Sequence, residues 1–282
     1  MKISIASYSF HGLMAEGKID VFGYLESCRY RYGLQTADLW NGLLGSHDAG
    51  FLLKVRQAAE ERDLEIVNYH VDGVHLWEEE PDKRERNYRL ALEHLKAAAI
   101  LGAKTVRFDT GGKVEAMTTE QLEFLATRYR EYCQFAHDHG FVIGPENHWG
   151  LSLIPNNMIR IAEAVDSPSY GILLHMGHWE EGDPREGDEK LAKWIAHTHI
   201  DANITRLSLN EAIVLLQDSG YTGCLGVEHH TAKNEYAEVG YQVSEVRRVL
   251  KRQEFERHLG ETAQRVESRS GNPLLTKEQE TV

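Results

Sequence analysis

The stretch GPENHWGLSLIP, residues 144–155, follows directly on the apolar run Phe141-Val142-Ile143 and sets Glu146 and His148 two positions apart. Side chains two apart in extended backbone share a face. A carboxylate and an imidazole inside a strand core would have to be desolvated. At the end of a strand, turned toward a pocket, both are at home. The pattern recurs downstream: His175-Met-Gly-His178, His197-Thr-His199-Ile-Asp201 and Glu228-His-His230 each close a short apolar or β-branched run.

Working outward from these strand ends, the chain repeats one unit. A short apolar run is followed by a polar loop, an amphipathic stretch, then Gly or Asp and the next run. The candidate strands are 2–7, 34–39, 64–70, 104–109, 141–146, 171–175, 194–200 and 223–228. Residues 118–138 place Leu122, Leu125, Tyr129, Tyr132 and Ala136 at helical spacings of three and four. Thr118 and Gln121 have the spacing of a capping box, and Gly140 follows the other end. Ser208 and Glu211 read as a second capping box, opening a helix through Leu215 and Leu216. Residues 82–101 and 234–252 are long and amphipathic.

Alternating strands and helices imply parallel strands joined by helical crossovers. Eight such units predict an α/β fold, a single closed (β/α)8 TIM barrel over residues 1–255. The doubly wound open sheet is the alternative. No GxGxxG follows the first strand, which argues against its dinucleotide-binding form. Residues 256–282 are polar and weakly periodic, and read as a C-terminal tail or an oligomerisation arm.

Composition narrows the function. The chain has 282 residues, 41% of them hydrophobic, enough for a sizeable core. No apolar run reaches the roughly 18 residues of a membrane span. The N-terminus reads as a strand, without the apolar region of a signal peptide. A net charge of −13 disfavours a nucleic-acid partner, which needs a basic footprint. Cys28, Cys133 and Cys224 are widely spaced and odd in number, as expected of reduced thiols in a cytoplasm.

In a parallel barrel the site lies at the C-terminal ends of the strands. Four consecutive strands deliver Glu146, His148, His175, His178, His197, His199, Asp201 and Glu228 to one rim. A lone histidine there usually serves structure, and Glu146 alone reads equally as a rim salt bridge. Four such groups on successive strands are a stronger signal, and mixed Glu and His donors suit one divalent ion such as Mn, Co, Zn or Mg. Arg107 and Asp109 share a phase on the fourth strand, either facing substrate or forming a buried ion pair. His70, Asp72, His75 and Trp77 follow the third strand. Trp40 and Trp149 are candidate walls for a sugar ring, or core. Arg206 and Lys233 lie where they would meet an anionic substrate, or are solvated surface.

These motifs resemble the sugar phosphate isomerase/epimerase superfamily of xylose-isomerase-like TIM barrels. That group includes keto-sugar 3-epimerases, inosose dehydratases and isomerases, dehydroshikimate dehydratases and an apurinic endonuclease branch. The resemblance spans about residues 1–255 and implies a divalent metal, manganese foremost, with Zn, Co, Fe or Mg as alternatives. Glu146 in PENHWG, His199 in AHTHID and Glu228 in LGVEHH match the family's metal ligands, and His178 matches a histidine that contacts substrate. The family's Asp-x-x-His reads His175-Met-Gly-His178 here, so His175 stands where the second ligand, an Asp, is expected. The resemblance further implies Glu146 and Glu228 as an acid/base pair and His178 as a substrate contact; His148, Arg107, His70, Arg206 and Trp40 are expected as further substrate contacts from their positions on or after the strands. The expected activity is isomerisation or epimerisation of a small keto-sugar or polyol derivative through an enediolate. A lyase with the same site (dehydratase, decarboxylase or C-glycoside β-eliminase) and a non-catalytic sugar-binding barrel are the alternatives. A homo-oligomer acting on a small carbohydrate, without nucleic acid or membrane, is expected.

Overall fold

The computed structural model describes residues 1–270, with side chains to residue 259. Eight parallel strands, β1 (Lys2–Ile5), β2 (Thr36–Trp40), β3 (Glu65–Trp77), β4 (Thr105–Gly111), β5 (Val142–Gly144), β6 (Ile172–His175), β7 (Ile195–Ile200) and β8 (Cys224–Val227), are hydrogen-bonded as two four-stranded ladders, β2-β3-β4-β5 and β6-β7-β8-β1. Isolated bridges stitch the ladders together: Ala6–Asp38 joins β1 to β2, while Ile143–Tyr170 and Glu146–Leu173 join β5 to β6. Each strand therefore neighbours the next in sequence, and the last neighbours the first. That circular order is the barrel; a doubly wound sheet reverses its order and ends in open edges. The helices are α1 (His11–Ala15), α2 (Val21–Glu26), α3 (Ala49–Glu60), α4 (Pro81–Leu101), α5 (Thr119–His139), α6 (Pro155–Val165), α7 (Pro184–Leu191), α8 (Ala202–Leu207), α9 (Leu209–Asp218) and α10 (Glu235–Ser270).

The apolar core lies between barrel and helices. Alternate strand residues such as Leu39, Tyr69, Phe108, Ile143, Leu174, Leu225 and Val227 are fully buried and belong to it. Helix α5 shows how sequence sets the packing. Leu125, Tyr129, Tyr132 and Ala136 are buried on one face, and the Tyr129 hydroxyl donates to the Phe108 carbonyl at 2.8 Å. Each large side chain in this layer contributes about 1.5–3 kcal/mol. The helix starts at the capping box Thr118/Gln121, with both reciprocal bonds formed, and stops at Gly140, whose φ of 73° is left-handed.

Three boundaries differ from the sequence reading. Strand β3 runs on to Trp77, so His70, Asp72, His75 and Trp77 lie within a strand and not after it. A register shift between Val71 and His75, with Gly73 at φ 84°, absorbs the extra residues and lets His75 pair with Asp109. Ser208 stands at the N-cap position of α9, but its side chain makes no cap bond, so the capping box with Glu211 does not form; its N–H closes α8 on the Ile204 carbonyl. Helix α10 continues past residue 255 to Ser270, into the segment expected as tail or arm. Residues 271–282 of that segment lie outside the described residues.

Candidate functional site

The opposite strand faces carry the chemistry. Glu146, just past β5, His175 on β6, His199 on β7 and Glu228, just past β8, are all buried, and one donor atom from each lies within 4.8 Å of the others. His175 Nδ1 is 3.2 Å from Glu146 Oε1 and 3.5 Å from Glu228 Oε2. His199 Nδ1 is 3.2 Å from Glu146 Oε1 and 3.4 Å from Glu228 Oε2. Two imidazole nitrogens and two carboxylate oxygens thus converge on one point. His199 reaches it because Gly226, on the neighbouring strand, has no side chain. A Cβ there would stand 2.2 Å from the Thr198 carbonyl oxygen and 3.1 Å from the His199 ring.

The donor set fits a divalent transition ion. Its surroundings fit as well. The far nitrogen of His199, Nε2, lies 3.2 Å from Asp38 Oδ2, which orients the ring and leaves Nδ1 facing the cluster. Asp38 is itself fixed on all sides: Oδ2 also lies 2.7 Å from His197 Nε2, and Oδ1 meets Asn68 Nδ2 at 2.8 Å and His70 Nδ1 at 3.0 Å. Burial alone would raise the pKa of Asp38, but His197 and His199 hold it well below the usual carboxylate range. For His199 burial favours the neutral ring, yet Glu228, Glu146 and Asp38 outweigh it and push the pKa well above the ordinary histidine value. These carboxylates favour a positive charge at this point, whether proton or metal ion.

Glu146 divides its oxygens. Oε1 faces the two histidines, whereas Oε2 stands 2.9 Å from Arg107 Nε, a charge pair not aligned as a hydrogen bond. Arg107 is the only buried Lys or Arg among the described residues. Its Nη1 meets Asp72 Oδ1 at 2.8 Å, Asp109 Oδ2 at 2.9 Å and the Val71 carbonyl at 2.8 Å. Despite burial, its carboxylate neighbours raise its pKa, so it stays charged, and it helps hold Glu146 well below the carboxylate range. Asp72, Asp109 and His148 also approach one another within 4.8 Å, but the guanidinium already bonds both aspartates. Arg107 and Asp109 are therefore a buried ion-pair framework lining the mouth.

The remaining expected contacts are distributed unevenly. His148 lies 3.8 Å from Asp109 Oδ2; burial lowers its pKa, but Glu146 and Asp109 reverse the shift to a net rise. The His178 ring is 4.9 Å from that of His175, and burial and His175 depress its pKa. Trp40, half-buried, donates its indole N–H to Asp72 at 2.8 Å. Trp149 is 52% exposed and packs on His148, so it is not core. Arg206 does not join the group: it is spent on an exposed pair with Glu238 at 3.1 Å.

Several residues of the site had no sequence signal of their own. Asp38 is one. Asn147 is another: its side chain donates to the His175 and His178 carbonyls and accepts the His175 N–H at 2.7 Å, tying the two strand ends together. Tyr8 sits between Trp40 and His230, with ring centroids at 5.1 and 6.2 Å, and its phenol pKa is raised by burial, Glu228 and Asp72. His230, recognised only as part of a motif, places Nε2 3.0 Å from Glu228 Oε2.

Comparison with known proteins adds the lineage. No curated protein matches this chain by sequence. Among solved structures, an L-ribulose 3-epimerase aligns with a TM-score of 0.72 at 15% identity, covering 90% of this chain and 97% of its own. D-psicose 3-epimerase from Clostridium cellulolyticum H10 aligns at 0.69 and 14%, covering 90% and 99%. A probable 3-DHS dehydratase, AsbF, from Bacillus anthracis aligns at 0.66 and 18%, covering 86% and 98%. At such identities the likeness is one of fold. The family model described as xylose isomerase-like TIM barrel matches residues 32–253, most of the chain. This chain belongs to the xylose isomerase-like TIM barrel family.

Proposed function

We propose that the protein is a divalent-metal-dependent isomerase or epimerase of a small keto-sugar or polyol derivative. One observation carries the reading: two buried carboxylates, Glu146 and Glu228, and two imidazoles converge at the barrel mouth within 4.8 Å. Glu146, His175, His199 and Glu228 would hold the ion, manganese foremost. When bound it would supply Lewis acidity that stabilises negative charge developing on a substrate oxygen.

The side chains do the rest. Deprotonating a carbon beside a carbonyl requires a base close to it, and returning a proton requires an acid on the chosen face. Glu228 has the more direct route to solvent. His230 lies 3.0 Å from it and is 45% exposed, which connects the carboxylate to solvent. Glu146 serves the opposite face of the substrate; Arg107 helps hold it ionised, as His199, His230 and His175 hold Glu228. His178 orients a substrate oxygen. Of the eleven buried side-chain atoms that lack a hydrogen-bond partner among the described residues, four belong to His70, Asp109, His148 and His178, while Arg107 Nε and Glu146 Oε2 face each other at 2.9 Å. Such a mixture of donors and acceptors suits a molecule with several hydroxyls. The three buried, unpaired cysteines suit a cytoplasmic location, and no helix among the described residues is long and apolar enough to cross a membrane.

The test is to incubate the Mn-loaded protein with a panel of ketoses and inososes in deuterated water. Deuterium at a carbon next to the carbonyl, in products of otherwise unchanged mass, supports the proposal. Products lighter by water or carbon dioxide assign the lyase reading. Binding without exchange or products assigns a sugar-binding barrel.

A further inference from the structure

The loop after β6 is held by a residue that the proposed chemistry does not use. Asp188, in the middle of α7, is buried and turns its carboxyl back onto that loop. Its Oδ2 accepts the Gly177 N–H at 3.0 Å, while Oδ1 accepts the same N–H at 3.1 Å and the Trp179 indole N–H at 2.8 Å. Gly177 and Trp179 are the two neighbours of His178, so one carboxyl grips the chain on both sides of it. Burial pushes the pKa of this carboxyl up to about 7, against the pull of Trp179 and Gly177. Oδ1 alone reaches both donors, so the grip does not depend on the charge.

His178 takes its place from this backbone. Its ring Nδ1 is buried without a hydrogen-bond partner, so no bond at that nitrogen orients the ring. Asn147 holds the His178 carbonyl at 2.9 Å, and the His175 carbonyl takes the His178 N–H at 3.1 Å. Between those holds and α7 stands Gly177, left-handed at φ 71° and free of a side chain that would stiffen the turn. The loop also borders a cavity of about 210 Å³ lined by Met176, Gly177, Asp188, Ile204, Ala212 and Leu215, so packing is incomplete there. The indole of Trp179 lies close against α7: a Cβ at Gly187 would stand 2.6 Å from its Nε1. The anchor of the loop on α7 is therefore the Asp188 carboxyl and the indole it holds.

We infer that Asp188 is a positioning residue for the reaction: by gripping Gly177 and Trp179 it aims the His178 ring at the substrate oxygen. This rests on the proposed proton-transfer function, in which His178 orients that oxygen. Without the carboxyl, the Gly177 N–H and the indole lose their acceptor, and the loop shifts to find others. A displacement of about 1 Å at a group that orients substrate costs on the order of 10²-fold in rate.

Two measurements on full-length Asp188→Ala, His178→Ala and the double variant test it. In the Mn-loaded proteins, solvent-deuterium incorporation is followed with the same panel of ketoses and inososes. In protein with Zn added, which is diamagnetic, nitrogen-15 NMR follows the His178 ring without any sugar. Asp188→Ala should lower kcat/KM by about 10- to 100-fold at unchanged metal content. The double variant should lose no more than His178→Ala alone, because two residues acting through one group do not add. The His178 ring resonances should move in Asp188→Ala while those of His70, on β3, stay in place. A loss within about twofold of the parent, losses that multiply in the double variant, or His178 resonances that coincide with the parent's each overturn the inference. If the parent exchanges no compound of the panel, the proton-transfer function falls, and the ring resonances alone decide whether Asp188 aims His178. If Asp188→Ala does not fold, Trp179→Phe, which deletes only the indole donor, takes its place with the same outcomes.

Discussion

The two halves of the barrel rim use the same residue types to opposite ends. On the side of β5 to β8, Glu146, His175, His199 and Glu228 direct donor atoms at a common point with no guanidinium or ammonium among them. On the side of β2 to β4, Arg107 bonds Asp72 and Asp109 at 2.8 and 2.9 Å, and His70 meets Asp38 at 3.0 Å. A set of carboxylates with an internal cation is a framework; a set without one is a place for an external cation. The distinction is one of partners, and counting acidic residues at strand ends does not reveal it. Arg107 spans the two halves: its Nη1 serves the framework and its Nε faces Glu146.

The largest effect should come from the cluster itself. Glu228→Gln and Glu146→Gln are each expected to lower solvent-deuterium incorporation by on the order of 10²- to 10⁴-fold. Metal content of the same variants separates loss of the base from loss of the ion. Full exchange in either variant at normal metal content would remove that residue from its role. Next comes the framework. Arg107→Met leaves two buried carboxylates, Asp109 and Glu146, and the partly exposed Asp72 without their cation, and should cost about 3–5 kcal/mol in denaturant unfolding. Arg206→Ala, on an exposed pair, should cost at most about 1 kcal/mol. Equal costs for the two would erase the contrast between the buried framework and the surface.

Asp38 tests whether the framework also serves the cluster. Asp38→Asn keeps the shape but replaces an acceptor oxygen facing His197 and His199, so the His199 ring loses its fixed orientation and tautomer. Loss of such an outer partner typically weakens metal binding 10- to 100-fold. Chelator competition with Mn, together with an unfolding curve, reads the effect. Unchanged affinity in a folded variant would reduce Asp38 to a purely structural role.

How much of this was legible depends on what each residue needs in order to be placed. The alternation of strand and helix needs only local periodicity, and it predicted the barrel. The convergence of Glu146, His175, His199 and Glu228 needs one further rule, that parallel strands of a closed barrel end on the same rim. Asp38 was not legible. In LQTADLW it is a single acid in an apolar run, and its importance comes from His197 and His199 on the opposite side of the sequence. Asn147 sits inside the PENHW motif, yet its clamp on His175 and His178 depends on how closely β5 and β6 approach. The extension of β3 to Trp77 was hidden because Asp72-Gly73 reads as a turn, whereas the register shift there lets pairing with β4 resume.

The smallest expected effect concerns His175, where this chain departs from the Asp of its family's motif, and it sharpens the view of the rim as a matched set of charges. In the metal-free protein, Glu228, Glu146 and Asp38 overcome burial to raise the pKa of His199 well above the usual histidine range. Binding at neutral pH must therefore displace a proton from His199, and calorimetric heats should vary with the ionisation enthalpy of the buffer. Because the proton competes with the ion, affinity should fall as the pH is lowered. His175→Asp adds a negative charge and a hard oxygen donor and removes one imidazole that must be neutral to bind. The variant should keep the fold, shift the Mg-to-Mn affinity ratio toward Mg by about tenfold or less, and weaken the acid sensitivity of binding. Titration calorimetry with Mg and Mn at two pH values measures both changes. If selectivity and pH dependence remain those of the parent, His175 only hydrogen-bonds within the rim, and the binding set shrinks to Glu146, His199 and Glu228.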